Sequence, residues 1–121
     1  MAELYDGGVA GLLDQSVSWQ DGEAKVTLVA RGYTFSAAHR TIKDLGAHAN
    51  GTSDALTGCR YESRVGKADP SYVLADRPDY STATVVHVNG RLLTYSPISP
   101  VQPVRGQRVD VAWPDNEVFA L

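Results

Sequence analysis

The sequence predicts a mainly β, α+β domain: an antiparallel sandwich or small barrel with one α-helix packed on it. Three observations carry this reading. In Thr84-Val85-Val86-His87-Val88-Asn89-Gly90-Arg91-Leu92-Leu93-Thr94-Tyr95, Asn-Gly stands between two β-rich runs and supplies the positive φ values of a type I′ hairpin turn. In Ala24-Lys25-Val26-Thr27-Leu28-Val29-Ala30, Val26, Leu28 and Ala30 share one face of a strand, with Lys25 and Thr27 on the other. Phe35, Ala38, Ile42 and Leu45 recur at steps of three and four, which is the apolar stripe of a helix. Successive strands joined by turns pair antiparallel, and a helix then covers the sheet.

The elements follow in chain order. Residues 1–17 read as an N-terminal arm or a short helix, roughly Gly8 to Gln15, weakened by Gly7, Gly8 and Gly11, since each glycine costs a helix about 1 kcal/mol relative to alanine. Residues 18–121 form the β-rich body. Asp21-Gly22 marks a turn before the strand over 24–30. The helix is placed at about 36–45, with Ser36 as its cap and Gly46 just past its end. Gly46 to Gly58, small and polar, reads as a loop, so Asn50-Gly51-Thr52 lies at the surface. Cys59 to Val65 alternates as one strand, with Cys59, Tyr61, Ser63 and Val65 on its inner face. Lys67 to Ser81, with its prolines and aspartates, reads as a long surface loop with room for a brief pairing at Tyr72-Val73-Leu74. In the hairpin, Val88 faces Arg91, Val86 faces Leu93 and Thr84 faces Tyr95. Gln107 to Trp113 is a further strand, with Val109, Val111 and Trp113 inward. Val118 to Leu121 is an apolar tail. The total is five or six strands and one helix.

Composition restricts function. The chain has 121 residues, 43% hydrophobic and 21% charged, which is the make-up of one globular domain. Its net charge is −3, with 11 basic residues scattered along it, so no basic patch points to nucleic acid or an anionic membrane. The single cysteine, Cys59, forms no intrachain disulfide. With no run long enough for a membrane span and no leader-like start, the expectation is a soluble protein made in the cytoplasm.

The candidate chemistry is sparse. Cys59 with His39, His48 or His87 resembles a thiol–base set, but an inward strand position suits an inert buried thiol better than a nucleophile. The same residues lack the close paired spacing of a zinc site. Asp69, Asp76 and Asp79 lack the oxygen-ligand spacing of a calcium loop. Neither a nucleophile elbow nor a phosphate-binding loop occurs. The expectation is a non-enzyme with no catalytic residues, no metal, no cofactor and no small-molecule substrate. Trp19 and Trp113 read as core or edge anchors.

One pattern goes further. A glycine-bearing N-terminal helix is followed by Ser18-Trp19, the strand Lys25-Val26-Thr27-Leu28-Val29, then Gly32-Tyr33-Thr34-Phe35-Ser36-Ala37-Ala38-His39 and Asp44-Leu45-Gly46. The chain ends with Leu92-Leu93-Thr94-Tyr95, Gly106-Gln107-Arg108-Val109, Val111-Ala112-Trp113-Pro114 and Val118-Phe119-Ala120-Leu121. Together these resemble small virion structural proteins of tailed bacteriophages, especially those of actinobacteria. The likeness covers both ends, about two-thirds of the chain, and departs in the middle, where the family tends to place a regular pair of strands between the helix and the final hairpin. It implies a capsid decoration or auxiliary protein in the virion. Such a protein binds the major capsid protein and copies of itself on the outside of the head. Two alternatives are a tail or head–tail connector subunit and a carbohydrate-binding or host-adhesion module. The expected contact residues are Leu4, Tyr5 and Val9 of the arm, Tyr72 and Tyr80 of the long loop, and Phe119 and Leu121 of the tail. Deleting residues 1–7 is expected to leave the domain folded.

Overall fold

A computed structural model describes residues 3–121; Met1 and Ala2 of the arm lie outside them. In chain order the elements are β1 (Glu3–Leu4), α1 (Asp6–Leu13), β2 (Ala24–Ala30), a 3-10 helix (Ile42–His48), β3 (Ala49–Thr52), β4 (Arg60–Glu62), β5 (Val65–Lys67), β6 (Ser71–Leu74), β7 (Ser81–Val88), β8 (Arg91–Val101), β9 (Arg108–Val111), a 3-10 turn (Pro114–Asn116) and β10 (Glu117–Ala120). The fold is mainly β and antiparallel, as the patterning predicts. Among the described residues there are ten strands rather than five or six, because several are too short to show a period in sequence.

The centre is a five-stranded sheet in the order β1-β8-β7-β2-β3. Val26, Leu28, Val86, Val88 and Leu93 pack on one face, and Val29, Ala83, Val85 and Leu92 on the other. Both faces are buried, which explains why β2 and β7 read as nearly continuous apolar runs. The Asn89-Gly90 turn forms as expected, with φ of 52° and 84°, and Val88 faces Arg91. Beyond His87 opposite Leu92 the register slips, so that Val86 faces Thr94, Val85 faces Tyr95 and Thr84 faces Ser96. The slip leaves Leu93 as the extra residue of a bulge. Leu92 and Leu93 are both core, one on each face, and the bulge shifts the partners of Thr94, Tyr95 and Ser96 by one residue.

Two small sheets, β10-β5-β4 and β6-β9, cover the first face. Trp19, Val73, Val109, Val111, Trp113, Val118 and Phe119 fill the space between. The indole Nε1 of Trp19 donates to the carbonyls of Arg60 and Lys67 at 3.1 and 3.2 Å, and its ring meets Phe119 edge-on at 5.0 Å. The core role of Trp19 therefore includes pinning the β4–β5 hairpin.

The second face is covered by Tyr5 and by the segment from Tyr33 to Ala49. Here the predicted helix over 36–45 does not form. The stripe is real, since Phe35, Ile42 and Leu45 all pack, but the backbone around it is committed elsewhere. The carbonyl of Ala37 accepts from Asp6 N–H, the carbonyl of Arg40 accepts from Leu92 N–H, and Ile42 N–H donates to Gly90. These bonds stitch the segment to the arm and to the edge of β8, so a helical turn begins only after Thr41. Its cap is a Thr41–Asp44 box, with Asp44 accepting from Arg40 and Thr41 N–H at 2.7 and 3.1 Å, and not Ser36. Those two bonds also hold the Asp44 carboxyl below its ordinary pKa.

The arm is part of the domain. β1 pairs with Thr94 and Tyr95 of β8, and α1 lies against the turn end of the same strand. Gly8 makes this possible: a Cβ there would sit 2.4 Å from the Leu92 carbonyl oxygen. The glycines that pack closely are Gly8 and Gly11, while Gly7 has nothing nearer than 3.8 Å.

Three further expectations are corrected. Cys59 to Val65 is not one strand. The chain reverses at Ser63 and Arg64, whose φ values are 52° and 67°, giving the β4–β5 hairpin. Gly46 to Gly58 is not all loop, since β3 pairs with β2. Asn50 is fully buried, bonded through its amide to Arg77 O at 3.1 Å and Ser81 Oγ at 3.3 Å and through Oδ1 to Arg77 N–H at 2.8 Å. Lys67 to Ser81 is not all loop: the brief pairing allowed at Tyr72-Val73-Leu74 forms as β6 against β9, and the second half of the segment is held down by Asn50.

Candidate functional site

The bulged hairpin, the β6–β9 ribbon and the C-terminal strand leave a groove of about 720 Å³ on the first face. Its walls are Trp113 and Val111 from β9 and its extension, Val118 and Phe119 from β10, and Pro97 and Ile98 from the outer half of β8, with Leu4 at one end. Thr84 and Ser96, cross-strand partners, add hydroxyls to the lining. Asp110 and Glu117 are its charged lining residues, with no Lys or Arg. Asp110 is bonded to Arg108 at 2.8 Å; Glu117 has no ion-pair partner among the described residues. Apolar walls with a few convergent polar groups are the usual make-up of a binding site.

The groove lies where strand edges are unpaired. β9 and β10 are edge strands of their sheets, and β1 covers β8 only at Thr94 and Tyr95. Beyond that point β8 carries Pro97 and Pro100, which offer no N–H, and β10 is bulged between Glu117 and Phe119. Prolines and bulges blunt an edge. The regular, proline-free edge beside the groove is β9.

A second depression shares this wall. Pro70, Ser71, Tyr72 and Arg108 line it with Asp110, Val111 and Ala112. The Arg108 guanidinium lies over the Tyr72 ring at 4.2 Å.

The expected contact residues separate into groups. Leu4 and Phe119 both line the groove, although Phe119 is a core residue only 4% exposed; Tyr72 borders the adjoining depression, and Leu121, 41% exposed, follows the lining residue Ala120. Tyr5 has no exposed surface. Its hydroxyl bonds to that of Tyr33 at 2.9 Å, and burial pushes its pKa well up, so it is an internal residue. Val9 is half-buried on α1, and Tyr80 lies apart beside Arg31. Ile98, Pro97 and Glu117 were not legible as site residues. The one signal was the proline spacing of Ser96 to Pro103, a mark of an edge strand.

The residues with chemical potential are dispersed. Tyr33 Oη bonds His39 Nδ1 at 2.7 Å. His87 is buried on the sheet, its Nε2 bonded to Thr27 Oγ1 at 2.9 Å. Cys59 is half-buried, and burial raises its thiol pKa. Asp69 neighbours Arg60 and Asp79 bonds Arg77. Among the described residues no group of three or more His, Cys, Asp or Glu is placed to hold a metal, and no helix is long and apolar enough to cross a membrane.

No family model matches this chain, and searches of curated proteins and of solved structures find nothing similar.

Proposed function

We propose that the protein is a non-enzymatic structural component of a bacteriophage virion, a decoration subunit that docks on the outside of the head. The observation that carries this is the convergence of Leu4 and Phe119 in one apolar groove, with Tyr72 on its flank. Val111, Trp113, Val118 and Phe119 belong to the core, and the groove they leave is a concave, mostly apolar lining with a few polar groups, the usual form of a binding site. The dispersal of Cys59, His39 and His87 favours docking over catalysis. A carbohydrate-binding reading has less support, because Arg108 and Arg31 each occupy a face of the tyrosines it would use. A subunit repeated over a shell needs only modest affinity at each site when neighbours also touch.

The test is immunogold electron microscopy of virions of the phage that encodes the chain. Label over the heads is the expected result. Label confined to the tail moves the protein to the connector reading, and absence of the protein from particles overturns the virion assignment.

A further inference from the structure

We propose that the groove accepts one added β-strand from another protein, an extended segment in which apolar residues alternate with Lys or Arg. This rests on the docking reading above and adds the edge used and the chemistry of the partner.

The strand form follows from the walls. β9 presents an unpaired, regular edge beside the groove, and an extended segment laid along it satisfies backbone N–H and C=O groups that the fold leaves to solvent. Its side chains then alternate. One set enters the space among Ile98, Trp113, Val118 and Phe119.

The sign of charge follows from the lining. The groove holds Asp110 and Glu117 and no cation, on a chain of net charge −3. Asp110 is shared with Arg108, and Glu117 is unpaired among the described residues. An incoming carboxylate meets the unpaired Glu117 as a like charge, while Lys or Arg side chains pair with Glu117 and share Asp110 with the Arg108 guanidinium that already holds it. Electrostatic matching of this kind selects the partner and sets the encounter rate more than it sets affinity.

The experiment uses the full chain and two capped seven-residue peptides, one alternating Lys and Val, the other Glu and Val. Binding is read by fluorescence anisotropy and by the indole N–H resonances of Trp113 and Trp19, assigned with Trp113→Phe. The Lys–Val peptide should bind and shift Trp113 while leaving Trp19 unmoved. Asp110→Asn with Glu117→Gln, both at exposed positions, should weaken it about fivefold or more with unchanged thermal unfolding, as expected for loss of two rim ion pairs. Equal affinity for the Glu–Val peptide, an unmoved Trp113, or no binding up to millimolar peptide would overturn the proposal. So would sedimentation velocity showing self-association that the Lys–Val peptide competes away, since the occupant would then be a second copy. The doubly neutralised variant also separates the two readings. Loss of peptide binding with retained particle association removes the groove from the docking reading but leaves the virion assignment standing. Peptide binding by a protein absent from particles does the reverse.

Discussion

Gly66 occupies the tightest contact in the core, because a Cβ there would lie 2.2 Å from the ring of Phe119. Gly66→Ala should lower stability by about 1–3 kcal/mol, the usual cost of overpacking. Combined with Phe119→Leu it should cost less than the two changes summed, which urea unfolding of all three variants would reveal. His87 is the second residue with a readable consequence. Burial, helped by Lys25, pushes its pKa down from 6.5 to about 4, and its Nδ1 has no partner among the described residues. The ring is neutral in the folded protein and takes a proton more readily when unfolded. Stability should therefore fall as pH drops from about 6.5 to about 4, by on the order of 3 kcal/mol, and this part should level off below that. The depressed carboxyls of Asp44 and Glu62 lose their contribution only at lower pH. Urea midpoints across this range should decline less steeply in His87→Gln than in the parent; parallel curves would remove His87 as the cause. Cys59 should label slowly with a bulky thiol reagent until the domain unfolds, since its thiolate is disfavoured by burial.

At the scale of elements, the β4–β5 hairpin turns on two residues poorly suited to it. Ser63 and Arg64 both hold positive φ, which costs an L-residue roughly 1–2 kcal/mol. Their side chains are exposed, so Ser63→Asn with Arg64→Gly should raise stability by about 1 kcal/mol, measurable as a higher urea midpoint at unchanged m-value. This turn also shows why part of the sequence misleads. Cys59 to Val65 alternates in residue type, but the turn pairs Glu62 with Val65 and Tyr61 with Gly66, so residues three apart share a face and the faces of a single strand do not continue through it. With strands of three residues the alternation is too short to show that break, and no Asn-Gly signal of the kind at Asn89-Gly90 marks the turn.

At the scale of the molecule, both chain ends close the fold. Val118 and Phe119 are almost fully buried and β10 pairs with β5. A buried phenylalanine alone is worth about 3–5 kcal/mol, against a whole-domain stability of about 5–15 kcal/mol. A chain ending at residue 117 should therefore lose cooperative unfolding and its near-ultraviolet circular dichroism. The same holds for the arm. Tyr5 is wholly internal and its N–H is bonded to Leu93 O at 3.1 Å. Deletion of residues 1–7 should lower the unfolding midpoint markedly, contrary to the expectation from the arm's weak apolar pattern.

The sequence by itself determined the central hairpin, the strands β2 and β9, the inward set Val109, Val111 and Trp113, and the antiparallel, mainly β class. Each of these rests on local physics, on alternation or on a turn residue whose φ preference is intrinsic. It also singled out Leu4 and Phe119, though not that both line one groove. Tertiary structure alone decided the rest. The stripe Phe35–Leu45 has helical spacing, yet the carbonyls of Ala37 and Arg40 are taken by the arm and by β8, and a backbone group bonded across the fold is lost to a local helix. The bulge at Leu93, the burial of Asn50 and the groove itself arise likewise. Each depends on which strand edge lies beside which, and that pairing links residues far apart in the chain, where no local period can record it.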